Sequence, residues 1–301
     1  MAQALTIYAT EHVPSVKAPE RIGYAIPPLV AFWGELPVSA ITKATCRAYR
    51  RQRVKVIRRD PETGARLETA PASTGTVRKE LGILSTALSY CVEEGRLLSA
   101  PKVHLPEKPQ PRDRWLTRDE AARLVWTAWR HPETRHLARF ILVALYTGTR
   151  KTAILRLRFM ANTSGGYVDT TAGRLFRRAT EQAETKKRQP PIPITPRLLA
   201  HLRRWERQGA RWVISYRGQG VASIKTAWRR IATEAGLKDV VPHTLRHTAI
   251  TWMMQTGAVE IHQAAGYFGI TSDTLERVYA HHHPDHQADA VAAAGRGGRK
   301  L

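Results

Sequence analysis

Apolar side chains recur at the spacing of one helix face through the first hundred residues. One such segment begins at Thr42 or Thr45, either of which can cap a helix, and runs to about Ile57. A longer segment begins at Ser73 and ends before Gly95, and its leucines fall on one face. The first third of the chain is therefore predicted to be helical.

Two polar stretches interrupt this pattern. Residues 58–64 combine charges with a proline and a glycine, and we expect an exposed loop there. Residues 100–114 contain four prolines and several charged side chains without periodicity, which is typical of a linker between domains. We therefore expect a first domain over residues 1–105 and a linker over residues 106–112.

A second domain is predicted to begin with a new helix. Thr117 and Glu120 have the spacing of a capping box, and an apolar helix over residues 139–146 ends at a Thr-Gly pair. Residues 156–194 differ, because glycines separate short runs as in a small antiparallel sheet. The helical pattern then resumes as far as Tyr279. The predicted fold class is mainly α (α+β), with a helical first domain and a mainly helical second domain that contains a small antiparallel sheet.

The charge balance is far from neutral. The 301 residues include 48 Lys and Arg against 25 Asp and Glu, so that the formal net charge is +23 and the isoelectric point about 10.8. Hydrophobic residues make up 43% of the chain, which is enough for packed cores. A globular protein this basic usually binds a polyanion, and nucleic acid is the commonest one.

Cysteine usage and hydropathy exclude other classes. Cys46 and Cys91 lie in apolar, helix-like contexts and are predicted to pack in the core, since two cysteines cannot form a disulfide framework or a zinc knuckle. The N-terminus lacks the basic and apolar regions of a secretory signal, and no apolar run approaches the roughly 18 residues of a membrane span. We expect a cytoplasmic protein without a membrane partner.

Five polar residues of the second domain form a pattern that suggests phosphate chemistry. Arg150 follows the Thr-Gly helix stop, Lys186 lies in a polar turn before a proline-containing strand, and Tyr279 comes late in the chain. His243 and Arg246 share one face at the start of a helix, whose N-terminus favours a phosphate nearby. The guanidinium fork binds two phosphate oxygens at once, and a tyrosine hydroxyl can act as a nucleophile. Each residue alone has an ordinary structural explanation, so the order and spacing carry the inference.

The combination of Thr-Gly-x-Arg, a hairpin lysine, His-x-Leu-Arg-His and a late tyrosine is similar to the tyrosine recombinase family. It resembles the prophage integrase branch in particular, whose tyrosine is followed by the His-His-His-Pro-Asp found here at residues 281–285. The resemblance covers nearly the whole chain. It implies a DNA-clamping core-binding domain over residues 1–105, a catalytic domain over residues 113–286 and a flexible basic tail over residues 287–301.

The resemblance implies a site-specific DNA recombinase that cleaves and rejoins double-stranded DNA through a 3′-phosphotyrosyl intermediate, without ATP, metal or other cofactor. Arg150 and Arg246 would bind the phosphate, and Tyr279 would be the nucleophile, with its pKa lowered by the guanidinium charge. His243 would be the base for Tyr279 and the acid in the reverse step. Lys186 would protonate the leaving 5′ oxygen.

The same resemblance implies how the protein assembles. Four protomers would act on paired DNA sites as a homotetramer, with a C-terminal segment of each docked on a neighbour. An accessory DNA-bending or directionality protein is a further partner that the family allows. The gene would be bacterial or phage-encoded, as part of a prophage or another mobile element.

Two positions depart from the family pattern and keep an alternative open. The acidic residue expected three after the first arginine is Ala153, and the His or Trp expected nine before the tyrosine is Ile270. These changes favour a sequence-specific DNA-binding protein derived from an integrase, with weak or no cleavage. We also consider that His281 or His282 substitutes for the missing group. The histidine-rich segment lacks the spacing of a helical metal motif, so no metal site is predicted, and a metal-dependent nuclease lacks a carboxylate cluster. In the hairpin, Lys187 is the alternative to Lys186.

Overall fold

The structure, a computed structural model, describes residues 1–59, 63, 66–110, 113–181, 188–284, 286–288, 291–292 and 294. The chain divides into two compact units, Met1–Pro111 and Arg112–Leu301. Most of the tail that we predicted to be flexible, residues 287–301, lies outside the described residues. Among the residues described, no helix has the length and apolar character needed to cross a membrane.

The first unit is mainly helical. Its helices are α1 (Ala2–Ile7), α2 (Pro19–Gly23), α3 (Ile26–Trp33), α4 (Lys43–Gln52) and α5 (Thr74–Glu93), with a π-helical turn at Tyr8–His12 and 3₁₀ turns at Val13–Ser15 and Val38–Ala40. The side chains of Thr42 and Ser73 cap α4 and α5, as predicted. The leucines of α5 pack with Trp33 in the core, where Cys46 and Cys91 are buried and free.

A β-hairpin in the first unit corrects two of our predictions. The helix that we expected to reach Ile57 ends at Gln52, and two antiparallel strands follow it, β1 (Val54–Arg59) and β2 (Arg66–Pro71). Residues 58 and 59, which we expected in a loop, therefore belong to β1. The valines and isoleucine of β1 are β-branched and favour a strand, and pairing with β2 supplies the ladder that helical periodicity cannot reveal.

The second unit is mainly helical with a small antiparallel sheet, which confirms the predicted fold class. Its helices are α6 (Arg118–Arg130), α7 (Arg135–Thr147), α8 (Lys151–Leu155), α9 (Pro196–Arg207), α10 (Lys225–Glu234), α11 (Thr244–Met254), α12 (Ile261–Phe268) and α13 (Ser272–Tyr279). The sheet has the order β3 (Tyr167–Asp169), β4 (Arg174–Phe176) and β5 (Ile192–Pro193), and β6 (Ser215–Tyr216) pairs with β7 (Gln219–Gly220). The capping box of Thr117 and Glu120 forms at the start of α6.

Two helix ends meet in this unit. Gly148 and Gly269 follow α7 and α12 in the left-handed conformation, with φ of 59° and 62°. A Cβ atom on Gly148 would lie 2.5 Å from the ring of Phe268, so only glycine allows this close approach. Helix α11 packs against both α7 and α12. The C-terminal ends of α7 and α12 therefore lie side by side, next to the segment that carries Arg150.

Candidate active site

Four of the five predicted site residues lie in described segments around these helix ends. Arg150 is the residue before α8, His243 is the N-cap of α11, Arg246 lies in the first turn of α11, and Tyr279 is the last residue of α13. The fifth, Lys186, and its alternative Lys187 lie outside the described residues.

Arg246 is buried although it carries a charge, with only 5% of its surface exposed. Its guanidinium donates one hydrogen bond from Nη1 to the carbonyl oxygen of Gly148 at 2.6 Å and another from Nη2 to that of Phe268 at 2.7 Å. One arginine thus bridges the C-terminal ends of α7 and α12. Both acceptors are uncharged carbonyls, so the positive charge of Arg246 is not neutralised by a carboxylate.

Arg150 has the same kind of partner but lies closer to solvent. Its Nη1 donates to the carbonyl oxygen of Arg188 at 3.1 Å, and its Nη2 lies 3.4 Å from that of Gly269. The contact with Arg188 joins Arg150 to the segment that follows the predicted lysine turn. The guanidinium is therefore oriented by backbone carbonyls while part of its surface remains accessible to a ligand.

Sequence reasoning missed a third arginine in this cluster. Arg177 directly follows β4 and is 4% exposed. It donates from Nε to the hydroxyl of Thr149 at 3.0 Å, from Nη1 to the carbonyl of Tyr267 at 2.6 Å and from Nη2 to that of Thr147 at 2.8 Å. A signal was present, because strand alternation places Arg177 on the same face as the buried Leu175.

The arginine cluster, defined as Arg150, Arg177 and Arg246, is a concentration of unneutralised positive charge. Within the described part of the chain, none of the three forms an ion pair with a carboxylate. Burial is the main cause that lowers the pKa of all three; with the added effect of the charge of Arg150, the pKa is about 9 for Arg246 and about 10 for Arg177. They remain protonated at neutral pH, and the negative ends of two helix dipoles offset part of their repulsion. Such a cluster is suited to bind an anion.

Tyr279 forms its hydrogen bond with a histidine that we did not predict. Its hydroxyl lies 2.6 Å from Nδ1 of His247, and the side chain is buried. Burial raises the pKa of Tyr279 to about 12, and the nearby charge of Arg246 offsets this only in part. The charge of Arg246 lowers the pKa of this phenol, as we expected, but desolvation outweighs the attraction, so the pKa lies above its ordinary value in the ligand-free protein.

The two histidines of His-x-Leu-Arg-His differ in their surroundings. Burial lowers the pKa of His247, so its ring is neutral at pH 7 and can accept a proton. His243, which we predicted to be the base for Tyr279, lies at the surface with its ring 4.9 Å from that of His247. Partial burial, followed by the charges of His247, Arg246 and Arg150, lowers the pKa of His243 to about 4. The spacing of four residues placed His247 on the same helix face as His243, and this was the signal that could have identified it.

The two residues that depart from the family pattern, Ala153 and Ile270, lie in apolar surroundings in the structure. Ala153 is buried in α8, and Ile270 packs against an apolar cluster that includes Phe268, Leu275 and Tyr279. Neither side chain can donate a hydrogen bond to a phosphate. The positive charge at this site therefore comes from arginines, and Ile270 supports the site by packing.

A second polar cluster lies just after Tyr279. His281 and His282 each place Nε2 at 3.8 Å from a carboxylate oxygen of Asp113, and the ring of His282 packs edge-on against Trp115. Nitrogen and oxygen ligands of these three residues lie within 4.8 Å of one another, which is a loose arrangement for one metal ion. The contacts of both histidines thus involve Asp113, rather than the arginine cluster where we considered them as substitutes for the group missing at Ile270.

The comparison with known families identifies the chain. The model of the phage integrase family matches residues 114–286, which is more than half of the sequence. The chain therefore belongs to the phage integrase family.

Two of the curated relatives are longer than this chain. The chain is 28% identical over 247 residues to a shufflon-specific DNA recombinase of Escherichia coli, and 26% identical over 234 residues to the integrase of Salmonella phage P22. These matches cover 80% and 72% of this chain but only 58% and 56% of the relatives. It is also 27% identical to tyrosine recombinase XerA of Thermococcus onnurineus, over 68% of this chain and 71% of that protein.

Solved structures share the fold. The integrase of transposon Tn1549, solved with circular intermediate DNA, matches 97% of this chain and 99% of its own with a TM-score of 0.72 at 14% identity. The lambda integrase dimer bound to a core site matches 93% of this chain and 77% of its own with a TM-score of 0.66 at 18% identity. At such low identities the likeness concerns the fold.

Proposed function

We propose that this protein is a site-specific DNA recombinase that cleaves and rejoins double-stranded DNA through a 3′-phosphotyrosyl intermediate at Tyr279. One observation carries the proposal. The hydroxyl of Tyr279 is hydrogen-bonded to the neutral His247, close to the charge of Arg246 in a cluster of arginines that form no ion pair with any carboxylate of the described residues. A nucleophile, a proton acceptor and a phosphate-binding group are the three components that phosphodiester displacement needs.

The cleavage step follows from these positions. The oxygen of Tyr279 attacks phosphorus and its proton passes to Nδ1 of His247, while the bond from phosphorus to the 5′ oxygen breaks. Negative charge develops on the non-bridging oxygens, where Arg150 and Arg246 stabilise it. His243 remains near enough to the arginines to contact a bound phosphate. The phosphotyrosine conserves the energy of the broken ester, so that a 5′ hydroxyl can reverse the reaction on the same or another strand.

The leaving 5′ oxygen needs a proton, which we assign to Lys186, with Lys187 as the alternative. Arg188, two residues after Lys186, is held by Arg150 through its carbonyl oxygen. In the sequence, Lys186 lies two positions before this anchor. This supports a lysine from the hairpin as the general acid.

Complete exchange requires cleavage of both strands in two duplexes. Four active sites are then needed, and we propose a homotetramer on paired DNA sites, with an accessory DNA-bending or directionality protein as a further partner. The related E. coli protein is named a recombinase and the P22 protein an integrase, which supports this activity for the present chain.

Recovery of a covalent adduct tests the proposal. The protein is incubated with fragmented genomic DNA of its source in the presence of a chelator, denatured, and the DNA that stays attached is sequenced. We expect attachment at a discrete sequence for the native chain and none for Tyr279→Phe. If both proteins bind DNA and neither forms an adduct, the chain is a DNA-binding protein derived from an integrase, and the proposal fails.

A further inference from the structure

We propose that Arg177 is a positioning residue of the phosphate site. Its hydrogen bonds hold the segment that carries Arg150 in place, and its positive charge adds to the attraction for the phosphate without contacting it. The inference rests on the proposed phosphodiester chemistry. It concerns a residue that follows a β-strand, lies outside all the sequence motifs that predicted the site and is almost completely buried.

The first observation is a regular set of contacts at the C-terminal end of α12. Three consecutive carbonyl oxygens there each accept a hydrogen bond from a different arginine of the cluster. The pairs are Tyr267 with Arg177 at 2.6 Å, Phe268 with Arg246 at 2.7 Å and Gly269 with Arg150 at 3.4 Å. The three guanidiniums are therefore ordered along one backbone, and Arg177 is the one farthest from the end of the helix.

The second observation concerns the segment that ends α7. Arg177 binds the carbonyl of Thr147 and the hydroxyl of Thr149, which is itself hydrogen-bonded to the hydroxyl of Thr147 at 2.7 Å. Arg246 binds the carbonyl of Gly148 between them. The next residue along the chain is Arg150, so the bonds of Arg177 fix the backbone immediately before this half-buried arginine, the proposed phosphate ligand.

Charge distinguishes this role from simple cross-linking. A neutral side chain could bridge the same carbonyls without the cost of burying a cation. The cluster instead places the three guanidiniums so close that the charge of Arg150 lowers the pKa of Arg177, and the charges of Arg150 and Arg177 lower the pKa of Arg246. Like charges that repel in the free protein are stabilised together when an anion binds. Arg177 therefore strengthens the attraction for the phosphate without needing to touch it.

The test compares cleavage of two DNA substrates by Arg177→Gln. One is the mapped target with a natural scissile phosphate, and the other carries a methylphosphonate, which lacks the negative charge at that position. Single-turnover cleavage of the natural phosphate should fall by about 100-fold, the loss expected when a change outside the reacting groups misplaces one of them. On the methylphosphonate the loss should be at least tenfold smaller, because there is less charge to stabilise. Arg174→Gln, a change on the exposed face of β4, is the matched control and should cleave both substrates like the native protein.

Three results separate the outcomes. Equal losses on both substrates would mean that Arg177 has only a structural role. Unchanged cleavage would mean that it does not contribute to the site. Either result overturns the inference. Absence of cleavage by the native protein on the natural phosphate would overturn the proposed function instead.

A second variant decides the matter if Arg177→Gln does not fold. Arg177→Lys keeps the charge but cannot reproduce the three hydrogen bonds, so cleavage of the natural phosphate should fall by about tenfold, with native melting temperature and DNA binding. Because Arg177 acts through the position of Arg150, the loss should be less than additive with that of Arg150→Lys. Additive losses would contradict a positioning role.

Discussion

Burial has the largest effect on the pKa of Tyr279, the proposed nucleophile. Tyr279 has a pKa of about 12 in the free protein, so the fraction present as phenolate at neutral pH is small. In the proposed reaction a free phenolate is not needed, because the hydroxyl of Tyr279 can pass its proton to His247, its hydrogen-bond partner, during the attack. The lowered pKa of His247 keeps its ring in the accepting, neutral form.

This pairing predicts how cleavage depends on pH. The rate for the native protein should be constant at mildly alkaline pH and fall on acidification, because a pKa below its usual range keeps His247 neutral until the solution becomes acidic. His247→Gln should lower the rate at pH 7.5 by about 10² to 10⁴-fold, the usual range for loss of general base catalysis. The rate of this variant should then rise with pH. Without the base only the phenolate of Tyr279 reacts, and the fraction of phenolate grows as the pH approaches the pKa of about 12. Single-turnover cleavage at a series of pH values measures both effects.

His243→Gln is the control for this prediction. The structure gives His243 no hydrogen bond to Tyr279 among the contacts of the described residues, so this variant should keep the flat pH profile even where its rate is lower. A rising profile for His243→Gln together with a flat one for His247→Gln would return the role of base to His243.

Sequence spacing predicted Arg150, Arg246 and Tyr279 as site residues, since each sits at a motif position whose chemistry is distinctive. It led us to name His243 as the base and not His247, because both lie on one helix face and only packing determines which ring meets Tyr279. Arg177 has no motif at all. Its importance depends on two carbonyls and one hydroxyl from segments distant in sequence, which no local pattern contains.

At the level of elements, the site is built where α7 and α12 end. Their left-handed glycines allow the two C-terminal ends to approach, and the carbonyls that helices leave unpaired at this end become acceptors for arginines. The same ends carry partial negative charge. The fold therefore orients three cations, and no carboxylate of the described residues pairs with them in competition with the proposed phosphate ligand.

Gly148→Ala tests this arrangement. The alanine adopts an unfavourable left-handed conformation and its Cβ meets Phe268 at 2.5 Å, so we expect a loss of about 2–4 kcal/mol in the free energy of unfolding and strongly reduced cleavage. Gly236→Ala is the matched control, because Gly236 has a φ of 66° with open space around it. It should lose only about 1 kcal/mol and keep its cleavage rate. Equal effects of the two changes, measured by denaturant unfolding, would mean that the contact between α7 and α12 is unimportant.

Helices and the sheet of the second unit were predictable from periodicity, caps and glycines, as Thr117 at the start of α6 illustrates. The hairpin of the first unit was not. Its first strand, β1, directly follows α4. From the sequence alone, the residues of β1 are predicted as the end of a helix followed by a loop, and only the pairing with β2 shows that they form a strand. Strand pairing is a long-range property that short windows of sequence do not contain.

For the whole molecule, the excess of positive charge is the relevant quantity. A net charge of +23 attracts DNA without regard to sequence, and this attraction arises from release of counterions. We expect the affinity of Tyr279→Phe for its mapped site to fall by about 10³ to 10⁵-fold between 50 and 200 mM salt, as for proteins with six to ten phosphate contacts. Equilibrium binding at several salt concentrations measures the slope, with DNA of unrelated sequence as the control. A change of less than about tenfold would contradict extensive phosphate contacts.

Identifying the residue that becomes joined to DNA tests the proposed mechanism most directly. The covalent adduct formed on the mapped site is digested with trypsin and nuclease, and mass spectrometry locates the residue that retains a nucleotide. We predict a single modified peptide beginning at Val278, with the nucleotide joined to Tyr279 through its 3′ phosphate and a free 5′ hydroxyl on the other DNA end. Attachment at another residue, or through a 5′ phosphate, would contradict the proposed mechanism.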